Sequence, residues 1–100
     1  MIFITQLIFV KEGKEDVFLE FEKFAIPLVE KYSGKIIYRV RPEKESFVSH
    51  EKEIPYEIHI ISFESERDFN EFMKDEERLK YIHLKEESVK SILLLKGEKI

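Results

Sequence analysis

The residues best suited to chemistry in this 100-residue chain lie on two predicted strands that follow each other in sequence. His59 and Glu57 share a face of one strand because strand side chains alternate in direction. Histidine titrates near neutral pH, so His59 is a candidate general base that Glu57 would orient. Arg39 or Arg41, on the preceding strand, could hold an anion. The structural alternative is charge pairing across a polar sheet face.

Three residues of the second predicted helical region extend this candidate site. His83 could serve as a catalytic base or an axial ligand, or it could be a helix residue at the edge of the core. Tyr81 could donate a hydrogen bond to a bound oxygenated ring, although tyrosines often pack with the hydroxyl at a rim. Phe72 belongs to a set of phenylalanines that would either line an aromatic pocket or fill the core: Phe18, Phe21, Phe24, Phe69 and Phe72.

Composition argues against several other functions. The chain has no cysteine, which excludes disulfides and thiol chemistry. The spacing of His50 to the other histidines does not suit a metal, so neither a metal site nor a cofactor is predicted. Twenty-one acidic residues against seventeen basic ones argue against nucleic-acid binding. The apolar first ten residues are too short for a membrane span and lack signal-peptide features, so a cytoplasmic protein is expected.

Hydrophobic periodicity predicts one domain over residues 1–100. The predicted elements are a strand over 2–10, a helix over 14–32, strands over 35–41 and 56–63, two short helices or one kinked helix after Ser65, and a strand over 90–96. Pro27 should kink the first helix or restart it. Ser33-Gly34 should end it, with Gly34 in a left-handed conformation.

This order of elements predicts an α+β, ferredoxin-like βαββαβ fold with an antiparallel sheet. Helices would cover one face of the sheet, yet three strands are apolar on both faces. A second copy of the chain is the simplest cover for the other face, so we predict a homodimer with the sheets packed face to face. The connection over 43–54 contains an apolar pair, Phe47-Val48, which suggests an arm on the partner or a lid.

Several stretches also carry a recognisable pattern: 10–18, Pro27 with 31–35, and 57–65 followed by Phe69 and Phe72. They resemble the dimeric α/β barrel superfamily, which includes the antibiotic-biosynthesis monooxygenases, and are most similar to a branch of uncharacterised function. Members often have two glycines where this chain has Ser33-Gly34. The resemblance implies a dimeric α/β barrel with a pocket between sheet and helices in each protomer.

The haem-degrading members of that superfamily offer a residue-level comparison. They have an Asn on the first strand, a Trp in the second helical region and a His shortly after it. This chain has Gln6 where the Asn would lie, Phe72 near the Trp position and His83 near the His, and it has no Trp at all. Haem degradation is therefore not predicted, whereas haem binding through His83 stays open.

Two classes of function remain as hypotheses. The first is binding of a small apolar, aromatic or polyketide-like molecule, with cofactor-independent, monooxygenase-like chemistry in which Gln6, His59 or His83 assists deprotonation and orientation. The second is a non-enzymatic interaction or stress-related module whose core is filled by its own phenylalanines. An open cavity would favour the first and a filled core the second.

Overall fold

The strands and helices follow the predicted order. The computed structural model describes all 100 residues, Met1 to Ile100. The strands are β1 (Ile2–Val10), β2 (Gly34–Val40), β3 (Glu57–Phe63) and β4 (Val89–Glu98). The α-helices are α1 (Glu15–Ala25), α2 (Glu66–Met73), α3 (Glu76–Lys80) and α4 (Ile82–Ser88), and 3-10 helices span Ile26–Tyr32 and Lys44–Ser46.

The sheet has the strand order β2-β3-β1-β4, and every neighbouring pair is antiparallel. This is the ferredoxin-like arrangement, so the predicted α+β fold is confirmed. No helix has both the length and the apolar character needed to cross a membrane.

The end of the first helical region differs from the prediction in one detail. Near Pro27 the α-helix gives way to a 3-10 helix, as expected from its missing N–H. The left-handed residue that ends this region is Ser33, with φ of 59°, and not Gly34. Gly34 begins β2, where a Cβ would lie 2.6 Å from Val29 Cγ1 and 2.8 Å from Phe63 Cε1. Glycine is therefore required at this position by close packing and not by its backbone angles.

The second helical region consists of three short helices, and not of the two short helices or one kinked helix that the sequence predicts. Ser65 caps α2, since its Oγ accepts a hydrogen bond from the backbone N–H of Asp68 at 3.1 Å. The hydroxyl also donates to the Asp68 carboxylate at 3.0 Å, in place of the return bond of a capping box. Asp75 caps α3 by accepting from the backbone N–H of Arg78 at 3.0 Å. Helices α3 and α4 therefore pack against α1.

An irregularity in β2 changes which side chains reach the core. Ile36 pairs with Ile61, but the next paired residue, Tyr38, lies opposite Ile60, so one residue bulges out of the ladder. In a strand without the bulge, Ile36 and Tyr38 would share a face; here Ile36 packs against the core and Tyr38 is exposed. Beyond the bulge, Arg39 lies opposite His59 on the face that the helices cover.

The two faces of the sheet have different surroundings. The helices cover the face that carries Ile4, Ile8 and Ile61, all of which are buried. The opposite face exposes large apolar side chains: Tyr38, Val40, Leu93 and Leu95. The strands are thus apolar on both faces, as the sequence predicts.

Candidate functional site

A cavity of about 200 Å³ lies between the sheet and the helices, where the family resemblance places a pocket. Fifteen of its twenty lining residues are hydrophobic. Such a lining suits an apolar ligand, and the few polar groups in it would fix the ligand's orientation. Those that can ionise or form hydrogen bonds are Gln6, Glu22, His59, Arg78 and Lys85.

His59 is held by two buried carboxylates. Its Nε2 lies 2.9 Å from Glu57 Oε1 and 3.2 Å from Glu22 Oε2, and the residue is only 4% exposed. Burial alone would lower the pKa of His59, but the contacts with Glu22 and Glu57 outweigh it and raise the pKa above its ordinary value. The raised pKa favours the protonated imidazole, whose Nε2–H is hydrogen-bonded to Glu57, while Nδ1 makes no hydrogen bond within the chain.

Glu57 is the permanent anion of this group. It accepts hydrogen bonds from Arg39 Nε at 3.2 Å and from Arg41 Nη2 at 2.6 Å, as well as from His59. Burial would raise the pKa of Glu57, but the hydrogen bonds, with that of His59 the strongest, lower it to about 2. Glu57 therefore stays ionised at any physiological pH.

The pKa of Glu22, on α1, is shifted in the opposite direction to that of Glu57. Its Oε1 accepts from Arg39 Nη2 at 2.8 Å, whereas its buried Oε2 has no hydrogen-bond partner. The single Nε2–H of His59 is directed to Glu57, which leaves Oε2 of Glu22 as a nearby but unsatisfied acceptor. Burial raises the pKa of Glu22 against the opposing effect of His59, and the neighbouring Glu57 adds to the rise. Glu22 is thus the carboxylate of the pair that can exchange a proton.

Glu22 was not predicted as a site residue, although the sequence contains a signal for it. Phe18, Phe21 and Ala25 lie on the buried side of α1, and Glu22 lies among them at helical spacing. A carboxylate in an apolar helix stripe must have a partner or a function. Here the partners come from β2 and β3, which are remote in sequence.

The structure brings together four of the six predicted site residues. Gln6 pairs with His59 across the β1–β3 ladder, and both line the cavity. Arg39 contacts Glu22 and Glu57 behind the cavity wall. Phe72 is buried in the core and forms part of the cavity wall.

Tyr81 and His83 lie away from this group. Tyr81 stacks on Phe24, with ring centroids 3.8 Å apart and planes 4° from parallel, and it does not line the cavity. His83 is exposed on α4 and does not line the cavity either. Of these two histidines, His59 lines the cavity and His83 does not.

The donor atoms of Glu22, Glu57 and His59 lie within 4.8 Å of one another, which is close enough for a metal ion. The spacing of the histidines could not indicate this trio, because only one member is a histidine. Arg39 and Arg41 already contact the two carboxylates and offset their charge. The arrangement therefore suits proton transfer better than cation binding.

Comparisons with known proteins identify the fold. No protein-family model matches the chain, and no curated protein matches it. A solved structure of a protein of unknown function from Rhodopseudomonas palustris has a TM-score of 0.84 at 14% identity, covering 99% of this chain and 82% of that one. A protein from Nitrosomonas europaea, provisionally named an antibiotic biosynthesis monooxygenase, has a TM-score of 0.75 at 9% identity, covering 100% and 99% of the two chains.

A third similar structure comes from another bacterium. It is a dimeric protein of unknown function with a ferredoxin-like fold from Bacteroides fragilis, with a TM-score of 0.71 at 13% identity, covering 98% of this chain and 95% of that one. These likenesses confirm the fold that the sequence resemblance implied. At such identities they establish the fold alone.

Proposed function

We propose that this protein is a homodimer that binds a small apolar molecule, aromatic or polyketide-like, in the cavity of each protomer. We further propose that Glu22 and His59 transfer a proton to or from that molecule. The observation that carries the proposal is a buried histidine between two carboxylates whose pKa values are moved in opposite directions, at the wall of an apolar cavity. Groups of this kind separate acid from base roles at one pH.

Each residue of the group has a distinct role. Glu57 stays ionised and holds His59 in a fixed orientation, while Arg39 and Arg41 hold Glu57. Glu22 accepts a proton at its unpaired Oε2, because its pKa is already raised by burial. His59 donates a hydrogen bond or a proton from Nδ1 to an oxygen of the ligand.

This chemistry is compatible with cofactor-independent monooxygenation. Such a reaction needs dioxygen as the oxidant and a ligand that supplies the electrons to reduce it, and removing a proton makes an oxygenated ring a better electron donor. The protein's part would be that deprotonation in a dry cavity. Gln6, beside His59, would orient the ligand through its side-chain amide.

The second hypothesis, a non-enzymatic module with a filled core, is less well supported. A cavity of about 200 Å³ remains between phenylalanines that would otherwise fill it. Haem binding through His83 has less support still, because that side chain is exposed and lies outside the cavity lining.

Proton transfer is testable with 2-tetralone, an aromatic ketone whose benzylic α-protons exchange with solvent deuterium. Proton NMR would follow that exchange with the wild-type protein, with Glu22→Gln and with the matched control Glu20→Gln on the exposed side of α1. We expect acceleration by the wild type and by Glu20→Gln, and a roughly 100-fold or greater loss in Glu22→Gln. If the wild-type protein exchanges 2-tetralone no faster than Glu22→Gln, the proton-transfer proposal is wrong.

A further inference from the structure

Two cationic side chains, Arg78 and Lys85, line the cavity without a carboxylate partner. No carboxylate oxygen lies within 4.0 Å of a side-chain nitrogen of either residue, although lysines and arginines make eight such contacts elsewhere in the chain. Cations placed in an apolar lining lose hydration, and burial of an unpaired charge is costly. Their position therefore requires a separate explanation from the Glu22–Glu57–His59 group.

Arg78 is the more deeply buried of the two, with 6% of its surface exposed. Its Nη1 donates to the backbone carbonyl of Met73 at 3.2 Å, and its guanidinium lies over the rings of Phe21 and Phe72 at 5.8 and 5.4 Å. Burial lowers its pKa, although an arginine still keeps its charge at neutral pH. The guanidinium thus sits against aromatic rings and can still bind an anion.

Asp75 acts on Arg78 through space but does not neutralise it. The Asp75 carboxylate accepts hydrogen bonds from Tyr32, from Lys31 Nζ at 3.0 Å and from the backbone N–H of Arg78. Its oxygens are therefore occupied by the helix cap and by surface partners.

Lys85 approaches the cavity from α4 and is half-buried. Its ammonium has no hydrogen-bond acceptor in the chain, and its pKa is lowered by burial and then by the positive charge of Arg78, against a weaker opposing effect of Glu86. Two positive charges that repel each other would both be stabilised by one anion bound between them. The only acid in the cavity lining is Glu22, which Arg39 and His59 already contact.

We propose that the cavity ligand is a monocarboxylate with an apolar body of one or two rings, and that Arg78 and Lys85 bind its carboxylate. The inference rests on the proposed function in that it uses the same cavity. The planar guanidinium can bind both carboxylate oxygens, while the ammonium adds a point charge. The cavity, at about 200 Å³, is smaller than the ~300–1,000 Å³ of drug-sized sites, which sets the limit of one or two rings.

Isothermal titration calorimetry with 2-naphthoate and its neutral isostere 2-naphthamide tests the charge of the ligand. We expect wild-type protein to bind naphthoate at least tenfold more tightly than naphthamide. In Lys85→Met this preference should fall to within about twofold, while the control Lys74→Met, at an exposed lysine that forms no ion pair, should keep it. Lys85→Met should fold normally, because an apolar side chain of similar length replaces a half-buried charge.

The outcomes separate the two proposals. Equal binding of naphthoate and naphthamide by the wild type would overturn the carboxylate inference and leave the apolar-ligand proposal standing. Binding of neither molecule would overturn both. An equal loss of preference in Lys85→Met and Lys74→Met would also overturn the inference, since it would show a general surface effect and not a site.

Discussion

Replacing Glu57 with glutamine would keep the shape of the side chain and remove the charge on which the buried group depends. Glu57 is 1% exposed and accepts hydrogen bonds from His59, Arg39 and Arg41. Glutamine can accept through one oxygen only, so at least one of these donors would lose its partner. We therefore expect Glu57→Gln to destabilise the fold at neutral pH.

The size of the loss follows from the pKa of Glu57, which folding lowers from 4.5 to about 2. One pKa unit corresponds to about 1.4 kcal/mol, so the ionised form contributes up to about 3.5 kcal/mol. Arg39 and Arg41 are 41% and 50% exposed, and solvent screening reduces the value to about 2–3 kcal/mol. Because the folded pKa is depressed, this stability is present above pH 4.5 and is lost as pH falls toward 2.

Urea unfolding curves recorded by circular dichroism at pH 5 and at pH 3 measure this contribution of Glu57 to stability. The difference in unfolding free energy between wild type and Glu57→Gln should fall by roughly half from pH 5 to pH 3, because at pH 3 Glu57 is protonated in the unfolded chain and still mostly ionised in the folded one. In this range His59 of the wild type is protonated both folded and unfolded, since folding raises its pKa. Glu51→Gln, on the exposed loop, is the control and should differ little from wild type. A difference that is equal at both pH values would refute the assignment of Glu57 as the buried, ionised carboxylate.

Two further predictions concern packing and assembly. Gly34→Ala should lower the free energy of unfolding by about 1–3 kcal/mol in a urea titration, because the new Cβ would overlap Val29 and Phe63. Gly97→Ala, which meets no atom within 4 Å, is the control, and a similar loss in both variants would contradict the explanation. Leu95→Glu places a charge on the exposed apolar sheet face and should convert the proposed dimer to monomers in analytical ultracentrifugation. Leu79→Glu, at an exposed position on α3, should not, and an unchanged dimer in Leu95→Glu would show that another surface is used.

The sequence was sufficient for the architecture because the signals for it are local. Alternation of apolar residues marked the strands, a three- and four-residue spacing marked α1, and Pro27 marked the change to a 3-10 helix. The order of these elements then restricted the topology to the ferredoxin-like plan. The apolar character of both faces of β1 also followed from alternation alone, and so did the expectation of a partner copy.

The candidate site was predicted only in part. The shared face of Glu57 and His59 follows from strand alternation within one segment, so the sequence identified it. The roles expected of Tyr81 and His83 depended on where α3 and α4 pack, and in the folded chain neither residue lines the cavity. Arg78 and Lys85, which do line the cavity, had no pattern in the sequence that distinguished them from surface charges.

Only the tertiary structure decided which charged residues contact one another. A one-residue bulge in β2 turns Arg39 toward the helices, where a regular strand would have turned it away. Glu22 then meets Arg39 and His59 because α1 packs over that part of the sheet. Helices and strands are determined largely by residues that are close in sequence. Strand register, bulges and helix packing are determined by contacts between residues that are distant in sequence. The pKa values that give this site its chemistry depend on those contacts, so they are properties of the folded chain.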